Sequence, residues 1–163
     1  QKTTIRNNTN GGETKMKKIL SVLLALIMVF AMAACGQQGT TTNDVEMKYM
    51  SADETAAIVG TEGYTIVDLR KAADYEAGHI TGSVLADMDK AKDGDFASGV
   101  ANMKAVMDGS DDTLVLVCYS GKKYAQAGTD VLASLGYDMS KVFTLEGGFN
   151  GWTAGPHADK VEK

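Results

Sequence analysis

The residues most able to do chemistry surround Cys118. This cysteine follows an apolar, β-branched run at residues 114–117 and opens a polar loop that contains Gly121, Lys122 and Lys123. Nearby cations and the N–H groups at a helix start stabilise a thiolate, which is the nucleophilic form of cysteine. Cys118 is therefore the candidate nucleophile. The alternative is a buried structural thiol, since free cysteine is among the most buried residue types.

The neighbouring elements must hold this loop. The run at 114–117 is short enough for a buried strand. Residues 124–135 place apolar side chains on one helical face, and Gly136 can end that helix. The sequence thus predicts a strand, a tight loop at 118–123 and a helix. In this order the loop lies at the helix N-terminus, where an anion binds favourably.

The front of the chain has a different character. Residues 1–15 are polar and precede the first methionine, so we interpret them as upstream sequence that is not native to the protein. Residues 16–34 combine two lysines, a 14-residue apolar run at 19–32 and small residues directly before Cys35. This arrangement resembles the signal peptide of bacterial lipoproteins, in which the cysteine is lipidated and becomes the new N-terminus. An uncleaved signal anchor is the alternative.

The resemblance implies a protein that is extracytoplasmic and lipid-anchored to the bacterial cell membrane through Cys35. Residues 35–44 are polar and of low complexity, which is typical of a flexible linker. The folded domain is then expected at residues 45–163. The chain has 16 basic and 21 acidic residues, and the acidic excess falls after Cys35, so the domain is not expected to bind nucleic acid.

Cysteine and histidine are scarce. Once Cys35 carries lipid, Cys118 is the only thiol, so the chain has no second cysteine to resolve a thioredoxin-like disulfide. His79 and His157 are the only histidines and form no cluster with cysteine, so we expect neither a metal site nor a cofactor.

The rest of the domain alternates strands and helices, which predicts an α/β fold with a mostly parallel sheet covered by helices on both faces. Ser51 and Glu54 have the spacing of a capping box at a helix start. A turn is expected at 79–82, an acidic loop at 87–95 and a polar tail from Gly155. Five strands are predicted at 46–50, 64–69, 83–85, 114–117 and 142–145, and helices at 51–59, 71–77, 96–107, 124–135 and after the glycine-rich turn at 146–152.

Three blocks in this order resemble the rhodanese family of sulfurtransferases: residues 67–70 with 75–83, residues 117–123, and residues 145–152. The resemblance runs from about residue 47 to residue 155. It implies a single rhodanese-like domain with a five-stranded parallel sheet. It also implies a persulfide on Cys118, an anionic sulfur donor such as thiosulfate, and a thiol or cyanide as acceptor.

Other residues are candidates from their own positions. Asp68 and Arg70 lie at a strand end, where Asp68 is expected to pair with Arg70 and hold the loop, and the alternative is that Arg70 faces the donor. His79 is expected to fix the turn by a hydrogen bond, and the alternative is a base. Lys123 stands where the family often has arginine, which keeps the charge but loses the bidentate fork. Thr81 stands where the family commonly has proline. The expected substrate-binding residues are Tyr119, Ser120, Gly121, Lys122, Lys123 and Arg70.

Two other functions compete with sulfur transfer. The domain could be a non-catalytic rhodanese-like module that binds a protein partner at the cell surface. Related folds also include phosphatases with a Cys-x5-Arg loop, but the position that would hold that arginine is Tyr124. The loop sequence therefore argues against a phosphatase.

Overall fold

The computed structural model describes residues 45–107 and 109–163. The predictions for residues 1–44, which include the signal peptide, the lipidated Cys35 and the linker, lie outside the described residues. No helix within the described ranges is long and apolar enough to cross a membrane.

The strands form one large sheet and one small one. In chain order the described strands are β1 (Tyr49–Met50), β2 (Tyr64–Asp68), β3 (His79–Ile80), β4 (Val84–Leu85), β5 (Thr113–Val117), β6 (Val142–Leu145) and β7 (Val161–Glu162). Five of them lie side by side in the order β1-β6-β5-β2-β4, and every neighbouring pair is parallel. Since parallel strands end at the same edge, the loops after β2, β5 and β6 meet there.

Helices cover both faces of this sheet. They are α1 (Ala52–Ile58), α2 (Ala72–Ala77), α3 (Phe96–Met107), α4 (Lys123–Ser134) and α5 (Gly148–Ala154), with 3-10 turns at Ala91–Asp93 and Met139–Lys141. The predicted α/β class and five-stranded parallel sheet are therefore confirmed. The predicted capping box is also present, because Glu54 N–H donates to Ser51 Oγ and Ser51 N–H donates to Glu54 Oε2.

The core has two halves because side chains alternate along each strand. Leu114 and Leu116 of β5 join the cluster under α3 and α4, together with Met103. Val115 and Val117 point to the other face and join the cluster that contains Trp152 of α5. Strand β5 is thus buried on both faces, as its unbroken apolar run predicts.

The tail differs from the prediction. Residues 79–82 were expected as a turn, and no strand was predicted in the polar tail from Gly155. Instead β3 pairs antiparallel with β7, with His79 opposite Glu162 and Ile80 opposite Val161. Glu162 Oε1 also accepts a hydrogen bond from Gly82 N–H at 2.8 Å. Such a pairing joins distant residues and has no local sequence signal.

Candidate active site

Cys118 directly follows β5, which is the central strand of the sheet. Its side chain is buried, with 2% exposed. The residues after β2 lie alongside, since Leu69 N–H donates to Val117 O at 2.7 Å. The sheet topology therefore brings the predicted nucleophile together with the Asp68–Arg70 corner at one edge.

The first turn of α5 holds the cysteine loop. Phe149 N–H donates to Cys118 O at 2.7 Å, and Asn150 N–H donates to Tyr119 O at 3.1 Å. The described peptide bonds are all trans, so the N–H of each following residue points roughly opposite to the carbonyl before it. The N–H groups of Tyr119 and Ser120 are therefore turned away from α5.

The backbone N–H groups that follow Cys118 have no acceptor in the described part of the chain. Within residues 45–107 and 109–163, none of the backbone N–H groups of residues 119–122 donates a hydrogen bond. Helix α4 begins directly afterwards at Lys123, and the first N–H groups of a helix lack partners inside it. Successive unpaired N–H groups and a helix dipole form a concavity that binds anions. The arrangement suits a negatively charged sulfur on Cys118.

Two glycines make the close approach of loop and helix possible. Gly148 has φ +60°, and a Cβ there would lie 2.4 Å from Cys118 O and 2.7 Å from Ser120 N. Gly121 has φ +68°, and its Cβ would lie 2.8 Å from Leu145 O. Both the backbone conformation and the contact distance therefore exclude a side chain at these positions.

Arg70 and Asp68 form a buried ion pair. Arg70 Nη2 lies 2.7 Å from Asp68 Oδ2 and 2.7 Å from Gly78 O, and Arg70 Nε also donates to the carboxylate. The guanidinium carbon lies 3.6 Å from the centre of the Phe149 ring. Arg70 thus ties together the ends of β2, α2 and α5. Both Asp68 and Gly78 thus engage the Arg70 guanidinium, and its contact with a donor stays a prediction.

The two loop lysines differ. Lys123 Nζ lies 2.9 Å from Asp93 Oδ1 in the 3-10 turn, and Lys92 contacts the same aspartate. Hydrogen bonds from Lys92 and then Lys123 lower the pKa of Asp93 to about 2. Lys122 is exposed and has no ion-pair partner in the described part of the chain. Lys122 is therefore the loop cation that is available to a substrate.

Two tyrosines flank the loop. Tyr119 donates its hydroxyl hydrogen to Asp74 Oδ2 at 2.5 Å, and Tyr124 donates to Asp89 Oδ1 at 2.6 Å. Their rings meet edge to face, with centroids 5.2 Å apart. Burial and the hydrogen bond to the carboxylate raise the pKa of each phenol, so both remain protonated donors. The side chain of Tyr119 is engaged by Asp74, and its backbone N–H remains free for the site.

His79 lies away from the cysteine loop. Its ring stacks on Tyr75 at 3.8 Å, its Nδ1 lies 3.0 Å from Tyr75 O, and its Nε2 lies 3.5 Å from Glu162 Oε1. These contacts hold the His79 ring between Tyr75 and Glu162, and its supporting role stays a prediction. A cluster of three or more potential metal ligands does not occur within the described ranges.

A family comparison agrees with this geometry. The family model described as the rhodanese-like domain matches residues 51–155. The chain belongs to the rhodanese-like domain family. The match contains the Asp68–Arg70 corner, the cysteine loop and the first turn of α5, which are the three parts that form the site.

Relatives cover most of the rhodanese-like domain. The thiosulfate sulfurtransferase GlpE of Pseudoalteromonas translucida (strain TAC 125) is 30% identical over 118 residues, which span 71% of this chain and 97% of that protein. The thiosulfate sulfurtransferase GlpE of Pseudomonas putida (strain GB-1) is 35% identical over 109 residues, which span 67% of this chain and 87% of that protein. The chain is therefore related to the sulfurtransferases at the level of family.

Solved structures share the fold. The BH2092 protein of Bacillus halodurans matches with a TM-score of 0.53 and 19% identity, over 71% of this chain and 76% of that chain. An uncharacterized protein of Saccharomyces cerevisiae matches with a TM-score of 0.53 and 23% identity, over 73% of this chain and all of that chain. At these identities the likeness concerns the fold alone.

Several residues at the site were not predicted to have a role there. Asp74 holds Tyr119, Asp93 holds Lys123, and Phe149 lies under Arg70. Glu146 lines a cavity beside the loop together with Tyr49. Glu146 directly follows β6, whereas the contacts of Asp74, Asp93 and Phe149 join distant segments and have no local sequence signal.

Proposed function

We propose that this domain is a sulfurtransferase that passes a sulfane sulfur through a persulfide on Cys118. The donor is an anion of the thiosulfate class, and the acceptor is a thiol or cyanide. The observation that carries the proposal is the row of unpaired N–H groups at residues 119–122, held beside Cys118 by α5. The names of the GlpE relatives support thiosulfate as the donor.

In the first half-reaction the Cys118 thiolate attacks the outer sulfur of thiosulfate. A new S–S bond forms, the S–S bond of thiosulfate breaks, and sulfite leaves with the electron pair. Cys118 then carries an anionic outer sulfur. The N–H groups of residues 119–122 and the start of α4 stabilise this negative charge, and Lys122 attracts the anionic donor.

In the second half-reaction the acceptor takes the outer sulfur. Cyanide attacks that sulfur, the bond to Cys118 Sγ breaks, and thiocyanate leaves while the cysteine returns to its thiolate. The same N–H groups stabilise the anion before and after the transfer, so the loop does not have to rearrange. A thiol acceptor leaves as a persulfide by the same exchange of S–S bonds.

The test uses the chain of residues 1–163 with Cys35→Ala, in which Cys118 is the only thiol. Thiosulfate is expected to add one sulfur, roughly 32 Da, because covalent catalysis leaves the sulfur on the nucleophile. Cyanide is expected to remove it as thiocyanate. The mass of the intact chain before and after each addition measures both steps.

The control is Cys118→Ser, which is expected to lose both steps while keeping the circular dichroism spectrum of the parent, because a hydroxyl forms no persulfide. A folded, reduced parent chain that gains no sulfur from thiosulfate or from a low-molecular-weight persulfide would overturn the proposal. Partner binding without any sulfur adduct would instead indicate a non-catalytic module.

We also propose that the domain is anchored outside the cytoplasm by lipid on Cys35. The support is the order of the segment at 16–35: two lysines, an apolar run, small residues and a cysteine. The polar residues up to 44 then serve as a flexible linker between membrane and domain.

A further inference from the structure

A cavity of about 510 Å³ opens beside the cysteine loop. It lies where β1 and β6 end, at the same edge of the sheet as Cys118. Three of its lining residues belong to the cysteine loop itself. The cavity is lined by Tyr49, Ser120, Gly121, Lys122, Glu146 and Gly147. A molecule in this cavity therefore contacts the loop that carries the nucleophile.

The cavity is lined by one cation, Lys122, and one carboxylate, Glu146. Neither Lys122 nor Glu146 forms an ion pair or a side-chain hydrogen bond within residues 45–107 and 109–163. The contrast with the neighbouring Lys123 is clear, because Asp93 already pairs with that ammonium. Lys122 and Glu146 are thus available to a ligand that carries both a negative and a positive group.

Tyr49 supplies the third feature. Tyr49 lies in the edge strand β1, and half of its surface is exposed. Its hydroxyl donates to Gly121 O at 3.4 Å, which holds the ring beside the loop. The ring offers an apolar surface between the charged groups, and small-molecule sites typically combine such a surface with a few placed polar groups.

We propose that this cavity is an acceptor subsite for a small thiol that carries both an ammonium and a carboxylate group, as a free thiol amino acid does. Lys122 binds the carboxylate and Glu146 binds the ammonium. The proposal rests on sulfur transfer through Cys118 and adds the class of acceptor. A dianionic donor is expected to bind less favourably in this cavity, because Glu146 repels it although the N–H groups of the loop attract it.

The transfer step balances without another reactant. The acceptor sulfur attacks the outer sulfur of the Cys118 persulfide, and a new S–S bond forms as the bond to Sγ breaks. The electron pair of that bond returns to Sγ as the thiolate. The proton of the acceptor thiol ends on the transferred sulfur, so the products are an amino-acid persulfide and the free Cys118 thiolate.

The test isolates this half-reaction. The chain of residues 1–163 with Cys35→Ala is loaded with thiosulfate, freed of excess donor, and mixed with one of four thiols. Cysteine carries both charges, cysteamine only the ammonium, 3-mercaptopropionate only the carboxylate, and 2-mercaptoethanol neither. The rate at which the persulfide mass disappears is measured for each thiol and each variant. For each thiol, the rate of the variant is divided by the rate of the parent, and this ratio does not depend on the intrinsic reactivity of the thiol.

Glu146→Gln is expected to slow sulfur transfer to cysteine and to cysteamine about threefold, which is the effect of one exposed charge interaction. The transfer rates to the other two thiols should not change. Lys122→Gln is expected to slow cysteine and 3-mercaptopropionate by a similar factor. Added salt should shrink these ratios, because exposed charges are screened. Glu62→Gln and Lys104→Gln, which are exposed charge removals away from the cavity, should change no rate.

Equal ratios of variant rate to parent rate for all four thiols would overturn the acceptor subsite. In that case the effects of Glu146→Gln and Lys122→Gln would not depend on the charge of the thiol. A parent chain that loads sulfur and reacts with cysteine no faster than the thiol's own acidity predicts would do the same. Failure of thiosulfate to load Cys118 would overturn sulfur transfer and the subsite together.

Discussion

At the residue scale, the two neighbouring lysines of the cysteine loop have different surroundings. Both lysines were expected to attract the donor, and Lys123 stands at the family's arginine position. Asp93 engages the Lys123 ammonium at 2.9 Å, and the described residues offer Lys122 no such partner. An anionic substrate is expected to bind more favourably to a lysine without a partner than to one that is already paired. Of the two expected cations, we therefore expect Lys122 to contribute more.

Lys122→Gln is expected to raise the KM for thiosulfate by about two- to fivefold, which corresponds to one exposed charge interaction. Lys123→Gln is expected to raise it less, because Asp93 already shares that charge. Steady-state kinetics with cyanide as acceptor, at low and high ionic strength, measure the difference. An effect of Lys123→Gln that equals or exceeds that of Lys122→Gln would contradict the role derived from the ion pair.

Asp93 gives a prediction about acid stability. Its pKa is lowered to about 2, chiefly by Lys92 and then by Lys123. A carboxylate whose pKa is lower in the folded state stabilises the fold at pH values above its unfolded pKa, and this contribution is lost as the pH falls towards 2.

The difference in free energy of unfolding between the parent and Asp93→Asn should therefore be constant above about pH 5 and shrink between pH 4 and pH 2. Chemical denaturation at a series of pH values measures it. A difference that stays constant down to pH 2 would mean that the two lysines do not act on the charge of Asp93.

At the scale of elements, the cysteine loop depends on α5. Two hydrogen bonds from the first turn of α5 orient the loop peptides, and Gly148 leaves the space that brings them together. Behind them, Arg70 joins β2 and α2 to Phe149, and removing one partner of such a buried ion pair costs about 3–5 kcal/mol. The loop is therefore held from two sides by groups that do not react.

Gly148→Ala tests this dependence, with Gly147→Ala as the matched control. Both glycines have positive φ, so each alanine is strained by about 1–2 kcal/mol. At Gly147 the nearest atom to a new Cβ is 3.6 Å away, whereas at Gly148 Cys118 O lies at 2.4 Å. Gly148→Ala is thus expected to lose more stability and also to lose sulfur loading.

Thermal unfolding and the mass of the loaded chain measure the two effects separately. Gly147→Ala should keep loading at nearly the rate of the parent despite its lower stability. If Gly148→Ala loads sulfur as fast as Gly147→Ala, the position of the loop does not depend on its contact with α5.

At the scale of the whole molecule, the segment before the domain determines where the chemistry would take place. Cys35→Ser is expected to abolish metabolic labelling with palmitate and to release the protein from the membrane fraction, because the lipid is the proposed anchor. Cys118→Ser serves as the control and should label like the parent. A Cys35→Ser chain that still labels and sediments with membranes would contradict the lipid anchor.

Local patterns in the sequence predicted most of the helices and strands and the candidate nucleophile. Helix α3 and strand β6 have the predicted limits at 96–107 and 142–145, because apolar period and flanking residues mark them. Cys118 was predicted as the nucleophile because a thiol at a strand end before a helix start is a local arrangement. The resemblance of the three blocks added the five-stranded parallel sheet, whereas the order of its strands comes from the structure.

Only the tertiary structure decided which side chains meet. The pairing of β3 with β7, the pairing of Lys123 with Asp93, and the cavity between Tyr49 and Glu146 all join segments that are distant in the chain. Sequence periodicity reports which face of an element is buried, but it contains no information on which distant residue packs there. For this protein the sequence by itself determined most element types and the candidate cysteine, because both depend on neighbouring residues. The tertiary structure decided which charges beside that cysteine are paired among the described residues, because ion pairs such as Lys123 with Asp93 join distant segments.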